Sequence, residues 1–271
     1  MTPTIYTVRA SSWGRLFDCA YSWQWTQLLG HDKPSGMRAL LGTSLHKSTA
    51  VFDQGRIDHS GVTADDAAGV LVETIQHPQF DVDLAADDLR ARDAEKTGLA
   101  LLSRYCHTWS PRYEFKAVEM TTEPFVIDAG HGVQIKLTGQ LDRSRVVAGV
   151  ERDRIGDLKS GARAVTEGVA NTKGHAPQIG TYQLLYEHTT GRPTDDVSEV
   201  IGLQTTGKPR IASGEIRGAR DLMVGTNEYP GLLEIAAQHF SSGLFPPNTA
   251  SVICNPKYCA RWNNCTYRGC D

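Results

Sequence analysis

The sequence has 271 residues, of which 40% are hydrophobic and 22% are charged, and its formal net charge at pH 7 is −3. This composition fits one large globular domain, or one domain with a helical insertion, and the lack of a basic excess confines any nucleic-acid-binding surface to a local patch. No apolar run approaches the length of a membrane span, and residues 1–13 lack the apolar core of a signal peptide, so we expect a cytoplasmic protein that does not contact a membrane.

Residues 1–110 are predicted to form a helical N-terminal part. Apolar residues recur there at helical spacing, Ser11 or Ser12 can cap the first helix, and Pro111 ends the last one. The first helix is predicted to run to about Leu29, and the next three are Met37–Phe52, Thr63–Ile75 and Ala85–Trp109.

Residues 111–245 are predicted to form an α/β core. The hydrophobic pattern changes to a period of two, and Tyr113–Ile127 and Val133–Val147 are predicted to be antiparallel strands joined across residues 129–132. The elements predicted after this hairpin are the strand Arg154–Lys159, the helix Ala176–His188, the strand Val197–Thr205 and the helix Asn227–Ser241. Residues 246–271 form a cysteine-rich tail. We therefore predict a single α/β domain with a helical N-terminal elaboration.

Two short segments place carboxylates near strand ends. They are Gly139-Gln140-Leu141-Asp142-Arg143 and Gly156-Asp157-Leu158-Lys159-Ser160-Gly161. Because side chains alternate along a strand, Asp157 and Lys159 leave the same face, and one hairpin could bring Asp142 beside them. Paired carboxylates with a lysine suit phosphodiester hydrolysis with Mg²⁺ or Mn²⁺, because oxygen ligands hold these ions and the lysine can orient water. Taken alone, an Asp-x-Lys strand more often marks a solvated edge with an ion pair.

Two further segments lie on predicted helices. Gly42-Thr43-Ser44-Leu45-His46 lies on the second helix, where His46 alone would be interpreted as a packed histidine. Gln178-Ile179-Gly180-Thr181-Tyr182 begins the helix after the Asp-x-Lys strand. Gln178 and Tyr182 share one helix face because they are four residues apart, which alone would indicate only a half-buried amphipathic helix.

Together and in this order, the four segments resemble the RecB/AddB-type branch of the PD-(D/E)xK nucleases, which has a helical G-x-x-x-H, a G-x-x-D-R, a D-x-K and a Q-x-x-x-Y. The resemblance spans nearly the whole chain, from Cys19 to Cys265. It implies an α/β fold with a restriction-endonuclease-like core, in which a mixed sheet is flanked by helices. The helical N-terminal part and the cysteine-rich tail would be additions to this core.

The resemblance also implies roles for individual residues. The implied ligands of the Mg²⁺ or Mn²⁺ ion are His46, Asp142, Asp157 and the Leu158 carbonyl. Asp142 and Asp157 would thereby be catalytic, and Lys159 would be the catalytic lysine. Gln178 and Tyr182 would position DNA or the active site. The acidic residue before the lysine is Asp157 rather than Glu, a choice that this branch commonly makes.

Four of the six cysteines crowd the C-terminal end. They are Cys254, Cys259, Cys265 and Cys270, whereas Cys19 and Cys106 stand apart. Thiolates at this density in a reducing compartment indicate iron–sulfur or zinc binding rather than disulfides. A local Zn²⁺ site would use the four tail cysteines, although their spacings are wider than those of the usual zinc knuckle.

The resemblance implies a [4Fe–4S] cluster instead, as in iron–sulfur members of this family and in the CRISPR-associated nucleases similar to them. The ligands would be Cys19, in the N-terminal helix, and Cys254, Cys259 and Cys265. Cys259 and Cys265 match the family's final C-x₅-C, but the preceding gap of four residues is wider than the commonest family form, so Cys270 could replace one tail ligand. Cys106 is predicted to pack in its helix. Such a cluster would be structural, because metal-binding free energy becomes folding free energy.

These features predict a metal-dependent DNA nuclease, and the resemblance implies an exonuclease of DNA recombination or repair. The chain has no helicase motif of the form G-x-x-x-x-G-K-[ST], which favours a stand-alone enzyme. Stand-alone enzymes of this type are frequent in bacteriophages, so a phage origin and a recombination or single-strand-annealing protein as partner are further expectations. The alternatives are a CRISPR-adaptation-type nuclease that trims DNA ends, a DNA-binding module with a disabled site, and a zinc protein without nuclease activity.

Overall fold

The computed structural model describes residues 3–269. Its strands are β1 (Thr4–Arg9), β2 (Glu114–Thr121), β3 (Phe125–Asp128), β4 (Val133–Thr138), β5 (Gln140–Val147), β6 (Val150–Gly161), β7 (Val165–Thr166), β8 (Val169–Ala170), β9 (Ser198–Gln204) and β10 (Arg210–Ile216). Its α-helices are α1 (Trp13–Asp18), α2 (Ala20–Trp23), α3 (Met37–Ile57), α4 (Ala64–Gln76), α5 (Ala91–Arg104), α6 (Ala176–Thr190), α7 (Ala219–Val224) and α8 (Leu232–Ser242). Within residues 3–269, no helix combines the length and the apolar character that crossing a membrane requires.

A five-stranded mixed sheet in the order β10-β9-β6-β5-β2 forms the centre of the molecule. β6 and β9 are parallel and are connected through α6, whereas the other neighbouring strands are antiparallel. β6 is the middle strand of this sheet. Its Ile155 and Leu158 side chains are fully buried, and each belongs to a different hydrophobic cluster. Helices α3, α4 and α5 contribute most of the cluster around Leu158, so the predicted mixed sheet flanked by helices is confirmed.

The N-terminal part differs from the prediction in two ways. It begins with a strand, β1, which pairs in parallel with β4, although only helices were predicted over residues 1–110. The single helix predicted to run to Leu29 is interrupted at Cys19, whose backbone is extended (φ −148°, ψ 91°) and separates α1 from α2. The expectation that Cys19 lies in a helix is therefore wrong, since this residue occupies a helix junction.

Instead of the one long hairpin that was predicted, the structure has two shorter pairs of strands, which lie in different sheets. β3 pairs with β4 across residues 129–132, as predicted, but β2 pairs with β5 in the central sheet. Pro124 lies between β2 and β3, where it cannot donate to a strand ladder. Gly139 separates β4 from β5, and a Cβ added there would lie 3.1 Å from the Tyr182 ring. The chain can therefore change sheets at these two positions.

Side-chain hydrogen bonds to the backbone explain why one predicted helix begins late. α5 begins at Ala91 rather than Ala85. Asp83 accepts a hydrogen bond from the Ala85 N–H (2.9 Å), and Asp87 accepts one from the Leu89 N–H (3.0 Å). Such local bonds stabilise turns at the expense of a helix.

The last predicted helix also begins late, and several elements of the C-terminal half were not predicted. α8 begins at Leu232 rather than Asn227, because Pro230 disfavours helical backbone at the residue before it. The short pair β7 and β8, the strand β10 and the helix α7 have no counterpart in the sequence-based prediction. β10 forms one edge of the central sheet, next to β9.

The tail from residue 246 packs against the N-terminal helices. Its one regular element within the described residues is a 3₁₀ turn, Trp262–Asn264. The guanidinium of Arg261 lies 3.2 Å from the centroid of the Tyr21 ring and donates a hydrogen bond to the Tyr21 carbonyl (2.8 Å). Ser251 Oγ donates to Asp18 Oδ2 (2.6 Å). These contacts bring segments more than 200 residues apart together.

Candidate functional site

Three potential cation ligands converge from a helix and two strands. His46 lies on α3, Glu119 on β2 and Asp142 on β5. His46 Nδ1 lies 3.4 Å from Asp142 Oδ2 and 3.9 Å from Glu119 Oε1. Within residues 3–269, these three form the only group of three or more histidine, cysteine or acidic side chains whose ligand atoms all lie within 4.8 Å of one another. His46 and Asp142 are therefore brought together as predicted.

The remaining predicted site residues form a hydrogen-bonded chain beside this group. Lys159 Nζ lies 2.7 Å from Asp157 Oδ2 and donates to Gln178 Oε1 (3.0 Å). Gln178 Nε2 in turn donates to Tyr182 Oη (2.9 Å) and Asp157 Oδ1 (3.3 Å). The N–H of Leu158, between Asp157 and Lys159, donates to Asp142 Oδ2 (2.9 Å), so the chain and the ligand group adjoin.

Leu158 connects the two groups through its backbone. Its N–H donates to Asp142 Oδ2 (2.9 Å), which ties the backbone of the Asp-x-Lys strand to a carboxylate of the ligand group.

Small residues allow the elements of the site to approach closely. A Cβ added to Gly42, one helical turn before His46, would lie 2.8 Å from Ser160 Oγ at the end of β6. At Gly180 on α6, a Cβ would lie 2.1 Å from the Ala219 carbonyl oxygen of α7. The glycines of the G-x-x-x-H and Q-x-x-x-Y segments thus permit the close contacts of α3 and α6.

Burial makes the negative charges of the site unfavourable in the absence of a cation. Burial and the neighbouring Asp142 carboxylate raise the pKa of Asp157, with Lys159 opposing them. The same two causes raise the pKa of Glu119 to about 7. Burial lowers the pKa of His46, which favours the neutral imidazole that can bind a metal. The Oδ2 atom of Asp157 is buried and accepts no hydrogen bond, although the Lys159 ammonium lies 2.7 Å from it. A bound divalent cation would offset these costs, so the residues present fit one.

Sequence analysis did not identify Glu119. It lies opposite Asp142, because the neighbouring residues pair as Val118 with Arg143 and Met120 with Leu141. Its backbone has φ 45°, an uncommon value for a residue other than glycine. The one available signal was its position on a strand expected to pair with that of Asp142, and the predicted register was not exact enough to use it.

Arg143, the last residue of the G-x-x-D-R segment, lies beneath the ligand group in the protein interior and forms hydrogen bonds with residues on both sides of it. Its side chain is 1% exposed, and its Nε donates to Asp53 Oδ2 (2.8 Å) on α3. It also donates to Glu119 Oε1 (3.3 Å) and to the Asp142 carbonyl (2.7 Å). Tyr105 donates a further hydrogen bond to Asp53 (2.7 Å). This buried network fixes α3 against β5, which positions His46 relative to Asp142.

A second candidate site lies where the tail meets the N-terminal helices. A small pocket is lined by all four predicted cluster ligands, Cys19, Cys254, Cys259 and Cys265. Cys270 lies outside the described residues. Within residues 3–269, the cysteines of this pocket are not among the groups of side chains that lie close enough together to hold a metal ion as they stand.

Cys106 is separate from this pocket. It is buried in the hydrophobic cluster formed by α3, α4 and α5. Burial raises the pKa of its thiol to about 12, which disfavours the thiolate that a metal requires.

Comparison with known proteins is consistent with this geometry. No curated protein matches the sequence. The fold is similar to the crystal structure of a Eubacterium rectale protein named "Putative exonuclease", with 13% sequence identity, a TM-score of 0.52, and coverage of 91% of this chain and 86% of that chain. At this identity the similarity concerns the fold alone. The family model of the PD-(D/E)XK nuclease superfamily matches residues 10–266, a range that includes all four predicted segments. This chain therefore belongs to the PD-(D/E)XK nuclease superfamily.

Proposed function

We propose that this protein is a deoxyribonuclease that hydrolyses phosphodiester bonds with Mg²⁺ or Mn²⁺. The convergence of His46, Glu119 and Asp142 within 4.8 Å carries the proposal, together with the adjacent pair of Asp157 and Lys159. Carboxylate oxygens are the ligands that Mg²⁺ and Mn²⁺ prefer, and a neutral imidazole is compatible with Mn²⁺. Asp157 and the Leu158 carbonyl are the proposed additional ligands, and Glu119 extends the set implied by the sequence.

The side chains beside the cation have separate roles in this proposal. A divalent cation supplies charge neutralisation at the phosphoryl oxygens and lowers the pKa of water. Lys159, whose side chain is 24% exposed, lines the open cavity above the ligands, where it can orient the attacking water and stabilise the developing negative charge. Gln178 holds Lys159 by accepting its hydrogen bond, and Tyr182 accepts from Gln178. Gln178 and Tyr182 are thus positioning residues.

The finer assignment is an exonuclease of the RecB/AddB type that acts in DNA recombination or repair. It is supported by the four segments, which occur in the order typical of that branch, and by the proximity of their polar side chains. A phage origin and a recombination or single-strand-annealing partner protein remain parts of this proposal.

We also propose a [4Fe–4S] cluster held by Cys19, Cys254, Cys259 and Cys265. It is supported by the pocket that these four cysteines share. Ser22 Oγ lies 3.7 Å from Cys259 Sγ and is placed to form a hydrogen bond to this ligand. The cluster would connect the junction of α1 and α2 to the tail. Anaerobically purified protein should be brown, whereas a colourless protein with about one zinc per chain would establish the alternative.

The nuclease proposal is tested by incubating purified protein with end-labelled linear DNA and with closed circular DNA. We expect degradation of the linear substrate with Mg²⁺ or Mn²⁺ and none with EDTA. Resistance of the circular substrate identifies an exonuclease, and its cleavage identifies an endonuclease. Intact linear DNA in the presence of both cations would refute the proposal.

A further inference from the structure

A groove leads from the candidate cation site to the cysteine-rich tail. Its first section has a volume of about 1380 Å³ and is lined by His46, Glu119 and Lys159, and by the α3 face that includes Arg38 and Lys47. Arg38 and Ala39 also line a second section of about 1500 Å³, so the two sections adjoin at this turn of α3. Eight residues separate His46 from Arg38, which corresponds to about 12 Å along the helix.

The second section ends on the tail. Lys257 and Tyr258 line it together with residues at the N-terminus of α3. Lys33 Nζ donates hydrogen bonds to the carbonyls of Pro256 (2.5 Å) and Lys257 (2.8 Å). These bonds hold the backbone of the tail loop at the groove, while the Lys257 and Tyr258 side chains remain exposed.

The charge of the second section is opposite in sign to that of the whole chain. Its charged lining residues are Arg15, Lys33, Arg38 and Lys257 against Asp32 and Asp87, whereas the chain has a formal net charge of −3. Arg38 forms an ion pair with Asp88 (2.6 Å), but the Asp88 side chain is 88% exposed. An exposed pair of this kind contributes little free energy and can exchange for a phosphate. The section therefore suits a polyanion.

The exposed ring of Tyr258 favours single-stranded over duplex nucleic acid as the ligand of this section. Its side chain is 53% exposed at the groove, and Lys257 Nζ lies 5.6 Å from the centroid of its ring. Single-stranded nucleic acids are commonly bound by exposed aromatic rings that stack on bases beside a basic track. A ring in this position can stack on an unpaired base, whereas the faces of bases inside a duplex are covered by their neighbours.

We propose that this groove binds the single-stranded segment of the DNA that leads to the cation site, with one base stacked on Tyr258 and phosphates contacted by Lys257 and Arg38. This inference rests on the proposed nuclease function, since the groove would deliver the strand to the cleavage site. It assigns the tail a direct role in substrate binding that is separate from holding a cluster.

The test is the dissociation constant of a fluorescent 30-nucleotide single strand, measured by anisotropy in EDTA, where cation-dependent cleavage does not occur. Tyr258→Ala should weaken binding about tenfold, and Tyr258→Phe, which keeps the ring, should bind like the wild type. Lys257→Glu should weaken binding and reduce the salt dependence by about one phosphate contact. Tyr229→Ala and Lys96→Glu are the matched controls, because Tyr229 is 45% exposed and Lys96 is exposed, and neither lines the groove.

Three outcomes would overturn the groove assignment. The first is that Tyr258→Ala binds the single strand as tightly as the wild type does. The second is that the Tyr229→Ala control loses as much affinity as Tyr258→Ala. The third is that Tyr258→Ala weakens binding of a blunt duplex but not of the single strand. An RNA strand of the same sequence shows whether the groove selects the sugar. Cleavage by the wild type with Mg²⁺ or Mn²⁺ is recorded separately, so a protein that binds the strand through Tyr258 without cutting it would refute the nuclease function and leave the binding groove in place.

Discussion

The ligands of the candidate cation site lie on long elements, α3, β2, β5 and β6, whereas the cysteine pocket is lined by a helix junction and an irregular tail. Asp157 is 0% exposed and Asp142 is 7% exposed, while the four cysteines of the pocket are only partly buried. The hydrophobic core holds the carboxylates together although their charges oppose this. The cysteine pocket has no comparable support.

This difference implies two relationships between metal binding and folding. The cation site is preorganised, so an ion that binds there reduces an existing electrostatic cost without determining the fold. At the cysteine pocket, the free energy of binding contributes directly to the association of the tail with α1 and α2. Substitutions at the first site should therefore mainly change chemistry, and substitutions at the second should mainly change stability.

The largest expected effect is the loss of cleavage on removal of a carboxylate. Asp157→Ala and Asp142→Ala should each lower the rate of DNA hydrolysis by at least about 10³-fold, because a cation ligand is lost, while thermal stability is kept. Gel assays with end-labelled DNA and thermal melts measure both. Asp65→Ala, an exposed position on α4, is the matched control. Near wild-type cleavage by either variant, at an unchanged melting temperature, would refute the ligand assignment.

Lys159→Ala should separate the reaction from cation binding. We expect hydrolysis to fall by about 10²- to 10³-fold, because a positive charge beside the reacting phosphate is lost, while Mn²⁺ still binds. Calorimetric titration with Mn²⁺ provides the second measurement, and the exposed Lys208→Ala is the control. If Mn²⁺ binding disappears together with activity, Lys159 is holding the carboxylates together and does not act on the reaction.

Arg143→Met tests the support beneath the cation site. The variant should lose about 3–5 kcal/mol of unfolding free energy in urea, because Asp53 would be left as an uncompensated buried charge. Adding Asp53→Leu should recover part of this loss, since it removes that charge. Arg217→Met, at a side chain that is 64% exposed, should change stability by less than about 1 kcal/mol. An equally small effect of Arg143→Met would show that the network does not hold α3 against β5.

Cys19→Ser should have the smallest of the four effects and should act on stability. If the cluster is present, the variant should lose its broad absorption near about 400 nm and melt roughly 5–10 °C lower, while the remaining folded protein still cleaves DNA. Cys106→Ser should keep the colour, because Cys106 lies in a different hydrophobic cluster. Cys270→Ser should also keep it. Loss of colour in Cys106→Ser but not in Cys19→Ser would contradict the ligand set.

The sequence predicted the elements that have strong local signals. α3 begins at Met37 and α6 begins at Ala176, as their periodicity indicated. It also predicted the pair of Asp157 and Lys159, because a separation of two on a strand fixes their common face.

The features that were missed depend on contacts between distant segments. β1 is a strand because it pairs with β4, and Glu119 belongs to the site because β2 pairs with β5 in one particular register. The extended backbone of Cys19 breaks a helix that local periodicity would continue. Periodicity describes one segment at a time, so it cannot supply these tertiary constraints.

The contact between the tail and the N-terminal helices has a consequence for the order of events during synthesis. Arg261 packs on Tyr21, and the cysteine pocket joins residue 19 to residues 254–265. A ribosome releases the N-terminal segment first, at about 5–20 residues per second. The α1–α2 region must therefore wait more than ten seconds for its partner, while the central sheet between them can already assemble. Closure of this pocket is a late step in biogenesis, and the surfaces that a chaperone would meet in the interval are those the tail later covers, among them the junction at Cys19 and the Trp25 ring, whose centroid lies 5.0 Å from the Arg261 guanidinium.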